Sequence, residues 1–177
     1  MNNEKDNVYD LVEDFYAHDE GWNTLLRQEY AEGFLRMEAW KGKKNSDLYR
    51  SWDNLTMLCL YLGSAETFLG DMNADDFIDC IAWCGRNISE FTPDYKNTQD
   101  FLETCDGLFK YLKGKNAISN DTVPGTAAEI LLQEGKMNII LPDGSFDEAN
   151  AERAWNATPD IPAKIFLNIG ERLQELL

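Results

Sequence analysis

The sequence predicts an all-α protein: a helical bundle of about five main helices with a smaller C-terminal helical lobe and at most one short β-hairpin. Three observations predict it. Apolar residues recur at three- and four-residue spacing through most of the first 114 residues, the period that gives a helix one buried stripe. Isolated glycines and prolines punctuate these stretches, and strand-like alternation is nearly absent. Finally, 44% of the 177 residues are hydrophobic and 12% aromatic, enough to bury a core despite a formal charge of −16.

The first helix carries Val8, Leu11, Val12 and Phe15 on one stripe, with Asp10, Glu13 and Asp14 off it. A second follows the Gly21 break, with Trp22, Leu25, Leu26, Tyr30, Phe34 and Met37 inward. The string WKGKKNSD, with Gly42, Asn45 and Ser46, reads as a turn. The third helix is expected to start at Ser51 or Asp53, both competent N-caps, and to end at Gly70. Its stripe is Leu55, Leu58, Cys59 and Leu62; Gly63 weakens it and suggests a close helix crossing. Asn73 followed three residues later by Asp76 is a capping-box signal for the fourth, which buries Phe77, Ile78, Ile81, Cys84 and Ile88. Thr92-Pro93 opens a fifth that runs to Gly114 through Phe101, Leu102, Cys105, Leu108, Phe109 and Leu112.

Residues 1–114 thus form the expected bundle, and 115–177 a connector and C-terminal lobe packing on the same core. The lobe should hold a short helix from Thr126 to Glu134, then KMNIIL and PDGS as a strand and turn. A helix capped by Asp147 and a final one carrying Ile165, Phe166, Ile169, Leu173 and Leu176 complete it. The expected core comprises Trp22, Phe34, Leu58, Leu62, Phe77, Ile81, Phe101, Leu102, Leu108 and Phe109.

The charge is distributed. Acids outnumber bases in residues 1–40, 51–114 and 115–177, whereas residues 41–50 hold four bases and one acid. The N-terminus lacks a basic stretch followed by an apolar one, and the longest apolar run, TMLCLYLG, is too short to span a bilayer. A cytoplasmic protein is expected, with no membrane association. Cys59, Cys80, Cys84 and Cys105 sit among apolar residues and read as reduced core thiols.

Each candidate for chemistry has a plainer explanation. Asp75, Asp76 and Asp79 form the Asp-Asp-x-x-Asp pattern with which isoprenoid synthases hold magnesium against a diphosphate. No second metal motif accompanies it, and acids at a helix N-terminus are expected anyway. DGSFDE begins like a calcium loop but has Glu148 where glycine is required and Ala154 at the last position. Cys80 and Cys84 share a helical face without two further ligands in tight spacing. His18, the single histidine, suits the end of the first helix. No metal, no cofactor and no catalytic residue is therefore expected.

What remains is electrostatic. Asp71, Asp75 and Asp79 follow at four-residue steps, which put carboxylates about 6 Å apart along a helix axis, and Asp100, Glu103 and Asp106 follow at three. Lys41, Lys43 and Lys44, flanked by Trp40, form the one basic interruption. These nine residues are the candidate partner-binding set. The leading expectation is a non-enzymatic regulatory or protein-binding module that docks on a basic partner protein and does not bind nucleic acid directly. The first alternative is a nucleic-acid mimic inhibiting a DNA- or RNA-binding protein. The second is a metal-dependent enzyme centred on Asp75, Asp76 and Asp79.

Overall fold

Asn7 opens the first helix of the computed structural model, which describes residues 7–91 and 95–133. Its side chain accepts a hydrogen bond from the Tyr9 backbone N–H, satisfying one of the donors a helix start leaves unpaired. Helix α1 (Val8–His18) gives way to a 3-10 turn (Glu20–Thr24), and α2 (Gln28–Trp40) follows. Then come α3 (Asn45–Ala65), a second 3-10 turn (Leu69–Asp71), α4 (Ala74–Asn87), α5 (Tyr95–Gly114) and α6 (Val123–Gln133). No strand occurs among the described residues, and the all-α bundle is the observed class.

Helices α3, α4, α5 and α6 form a four-membered ring in which α3 and α6 each pack on both α4 and α5. Helices α1 and α2 cover α3, and α2 also reaches α5. Aromatic pairs occupy these seams. Phe77 of α4 meets Phe109 of α5 edge-on, ring centres 5.3 Å apart, and Tyr61 of α3 meets Trp83 of α4 at 6.1 Å. Phe15 of α1 lies tilted against Trp22 at 4.8 Å and meets Trp52 of α3 edge-on at 5.3 Å. Nine of the ten expected core residues are buried; Trp22 is only partly covered.

Several boundaries differ from expectation, each for a physical reason. The second helix starts at Gln28, because Asp19 caps a separate 3-10 turn through Gly21 N–H and the chain re-enters at Arg27 with extended backbone. The third starts at Asn45, not Ser51 or Asp53. Gly42, at φ 94°, closes the preceding turn so tightly that Lys44 is already the cap position. It ends at Ala65, where Glu66 takes the left-handed conformation usually left to glycine, while Gly70 lies in the following 3-10 turn. The sixth begins at Val123, so Pro124 sits in its first turn, where its missing N–H is harmless. The Thr92-Pro93 start signal, the expected hairpin and the last two expected helices lie outside the described residues.

Glycine makes its close approaches at positions other than Gly63, which is exposed with only ordinary contact to Leu25. A side chain at Gly33 would collide with the Tyr111 hydroxyl, and one at Gly107 would come within 3.2 Å of the buried Phe34 ring. These two glycines let α2 and α5 cross.

Candidate docking surface

The basic turn is built from the end of α2. Ala31, Phe34, Leu35 and Glu38 fall at helical spacing on its buried face, so Glu38 projects a carboxylate into a place meant for an apolar side chain. Only 6% of Glu38 is exposed. The turn that follows folds two cations back onto it. Lys43 Nζ lies 2.8 Å from Oε2 and Lys41 Nζ 3.4 Å from Oε1. Lys44 instead heads α3, its backbone N–H donating to the Asp47 carboxylate at 3.3 Å. Trp40 stands 91% exposed beside them. Two of the three lysines read as partner-binding are thus engaged within the chain.

The acid rows are not regular. Asp71 lies in the 3-10 turn before α4, so the four-residue helical step holds only for Asp75 and Asp79. Asp76 closes the expected capping box: its carboxylate accepts from Asn73 N–H at 2.8 Å and its own N–H donates to Asn73 Oδ1 at 3.0 Å. Asp75 is exposed; Asp79 is partly buried and has an interaction partner. On α5, Glu103 is exposed and accepts from Gln99, and Asp106 is bound to Lys110 Nζ at 2.6 Å, which holds that ammonium above its ordinary pKa. Asp100 turns toward α3, where the buried Asn54 amide donates to its carboxylate and to Thr104 Oγ1, both at 3.0 Å. Among the described residues no group of three or more His, Cys, Asp or Glu side chains is arranged to hold a metal ion, Asp75, Asp76 and Asp79 included.

Asn54 and Asp100 also line a cleft that the sequence did not reveal. Its volume is about 390 Å³, and it opens between the middle of α3, the end of α4 and the start of α5. Met57, Leu60, Ile88 and Phe91 supply an apolar wall, while Arg50, Asp53, Glu90 and Asp100 supply charge. Arg50 makes no ion pair with any of these carboxylates among the described residues. Loss of water against the cleft wall pushes the Asp53 carboxyl above its ordinary range, and no described cation pairs with it.

A group whose folded pKa is raised binds its proton more tightly in the folded state. That contribution is present below the unfolded carboxyl value of about 4 and lost as pH rises through the folded one. Asp53→Asn is therefore expected to raise the melting temperature near neutral pH and leave it unchanged near pH 3. The gain should be a fraction of a kcal/mol, since the side chain is partly in water. Paired melts at the two pH values check this.

The four cysteines are buried and unpaired in disulfides. Burial pushes Cys59 up to about 12, and Cys80 and Cys105 well above the usual thiol value, with neighbouring thiols adding to the shift. Cys84 donates to the Met57 carbonyl at 3.9 Å. A charged aromatic disulfide reagent is expected to label none of the four in the native protein and all four in denaturant. Rapid labelling of any of them in the native state would contradict this core.

No helix among the described residues is long and apolar enough to cross a membrane. No protein-family model, curated protein or solved structure matches the chain.

Proposed function

We propose that this protein is a non-enzymatic docking module, a rigid helical scaffold whose acidic surface receives a basic partner protein. The observation that supports it is the closure of Lys41 and Lys43 onto buried Glu38. Glu38 offsets one of the positive charges of this turn from within, and Asp10, Glu13, Asp14, Asp71 and Asp75 stay exposed. A surface of that sign repels nucleic acid and anionic lipid and attracts Lys- and Arg-rich proteins. The reading places the module in the cytoplasm, where unpaired thiols stay reduced.

The test is capture of partners by the 177-residue chain, followed by binding of each purified partner at two salt concentrations. These correspond to Debye lengths of about 30 Å and about 8 Å. The expected partner is basic, and its affinity falls at least about tenfold at the higher salt. Neutral or acidic partners with salt-independent affinity, or turnover of a small molecule by the purified chain, would overturn the proposal. If nucleic acid competes for the partner, the module acts as a mimic; the breaks at Asp71, Asp100 and Asp106 give no support to a regular phosphate-like row.

A further inference from the structure

We propose that the cleft between α3 and the start of α5 is the specific docking site. It would take a partner segment that carries an aliphatic or aromatic anchor beside a lysine or arginine. This rests on the docking reading above and names where it happens. Three features carry it. The cleft is about 390 Å³, toward the lower end of the range for ligand clefts of about 300–1,000 Å³, which suits a few side chains better than a large cofactor. Its wall is apolar at Met57, Leu60, Ile88 and Phe91, which offers an anchor a dry contact. Its charge is unbalanced, with the carboxylates of Asp53, Glu90 and Asp100 against the single guanidinium of Arg50.

The two parts of the ligand follow from the two parts of the wall. An apolar side chain on Leu60 and Ile88 displaces water from the mouth, and a cation beside it comes within reach of Asp53 and Asp100. Asp100 is already oriented, because the buried Asn54 amide holds its carboxylate and Thr104 holds its backbone carbonyl at 2.9 Å. A preorganised acceptor loses less freedom on binding than a mobile one. Asp53 is partly desolvated and pairs with no cation among the described residues, so a bound ammonium or guanidinium would supply that compensation.

The probe is a synthetic amphipathic peptide of lysine and leucine, titrated against the 177-residue chain by calorimetry. A lysine–serine peptide of equal charge is the control for charge alone. The lysine–leucine peptide is expected to bind at least about tenfold more tightly than the control. Leu60→Gln and Asp53→Asn, both at partly or fully exposed positions, should each weaken it by about fivefold or more while the circular dichroism stays unchanged. Removing charge at Glu20 and Glu129, away from the cleft, should change it by less than about twofold.

Equal loss in cleft and remote variants would overturn the cleft assignment and leave the acidic docking reading standing. Binding of neither peptide would overturn both. The apolar stripe at Ile165, Phe166, Ile169, Leu173 and Leu176 is a rival occupant from this chain. If the probe binds only after Ile169→Glu and Leu173→Glu, that segment fills the cleft and the partner assignment falls.

Discussion

Phe77→Ala is expected to remove about 3–5 kcal/mol of folding stability, a large share of the roughly 5–15 kcal/mol that holds a domain together. Phe77 is wholly buried on α4, and its ring meets the Phe109 ring of α5 edge-on. Truncation takes away the transfer free energy of the ring. It also leaves a cavity that helices braced on both sides, by α3 and α6, cannot close. Part of the loss belongs to the pair itself. In a double-mutant cycle with Phe109→Ala, a coupling of about 0.5–1.5 kcal/mol is expected from the ring geometry. Phe68→Ala serves as the contrast, because that ring is 59% exposed and its removal should cost less than about 0.5 kcal/mol. Urea unfolding followed by circular dichroism measures the wild type and all four variants. A loss below about 1 kcal/mol at Phe77 would mean that α4 does not carry the core.

The second large effect is expected at Glu38, and its sign depends on which side of the ion pair is removed. Lys41→Ala with Lys43→Ala leaves a buried carboxylate without a cation and should cost about 3–5 kcal/mol. Lys41→Ala alone should cost much less, since its ammonium is the more distant one and is 61% exposed. Glu38→Met removes the charge together with its desolvation cost, so it should be neutral or stabilising by about 1–4 kcal/mol. Both lysines can then swing into water. Midpoints of urea unfolding separate the cases. If Glu38→Met were as damaging as the double lysine variant, the ion pair would be a net source of stability.

Much of the bundle is legible in the sequence, because burial follows the helical period. Asn73 and Asp76 identify the start of α4 through chemistry local to four residues, and the apolar stripe of α5 leads directly to Phe101, Leu108 and Phe109. What escaped depends on contacts or on backbone angles. Asn45 and Ser46 look like turn letters, yet they begin α3, because Gly42 and the Lys43–Glu38 pair complete the turn before them. Reading Asp53 as a cap then hid it as a cleft residue one turn after Arg50. Glu66 in a left-handed conformation has no sequence signature at all. Glu38 could have been found. It falls on the buried spacing of Ala31, Phe34 and Leu35, and an acid there with lysines three and five residues later is a compensated charge.

The inward-folded basic turn also bears on how a partner would arrive. With Lys41 and Lys43 sharing Glu38, the proposed module draws a visitor chiefly through its net charge of −16, which pulls without selecting one face. Attraction without orientation makes collisions frequent and mostly misaligned. The encounter rate then belongs to the ions in solution, and residence time belongs to the few apolar atoms that find the right place.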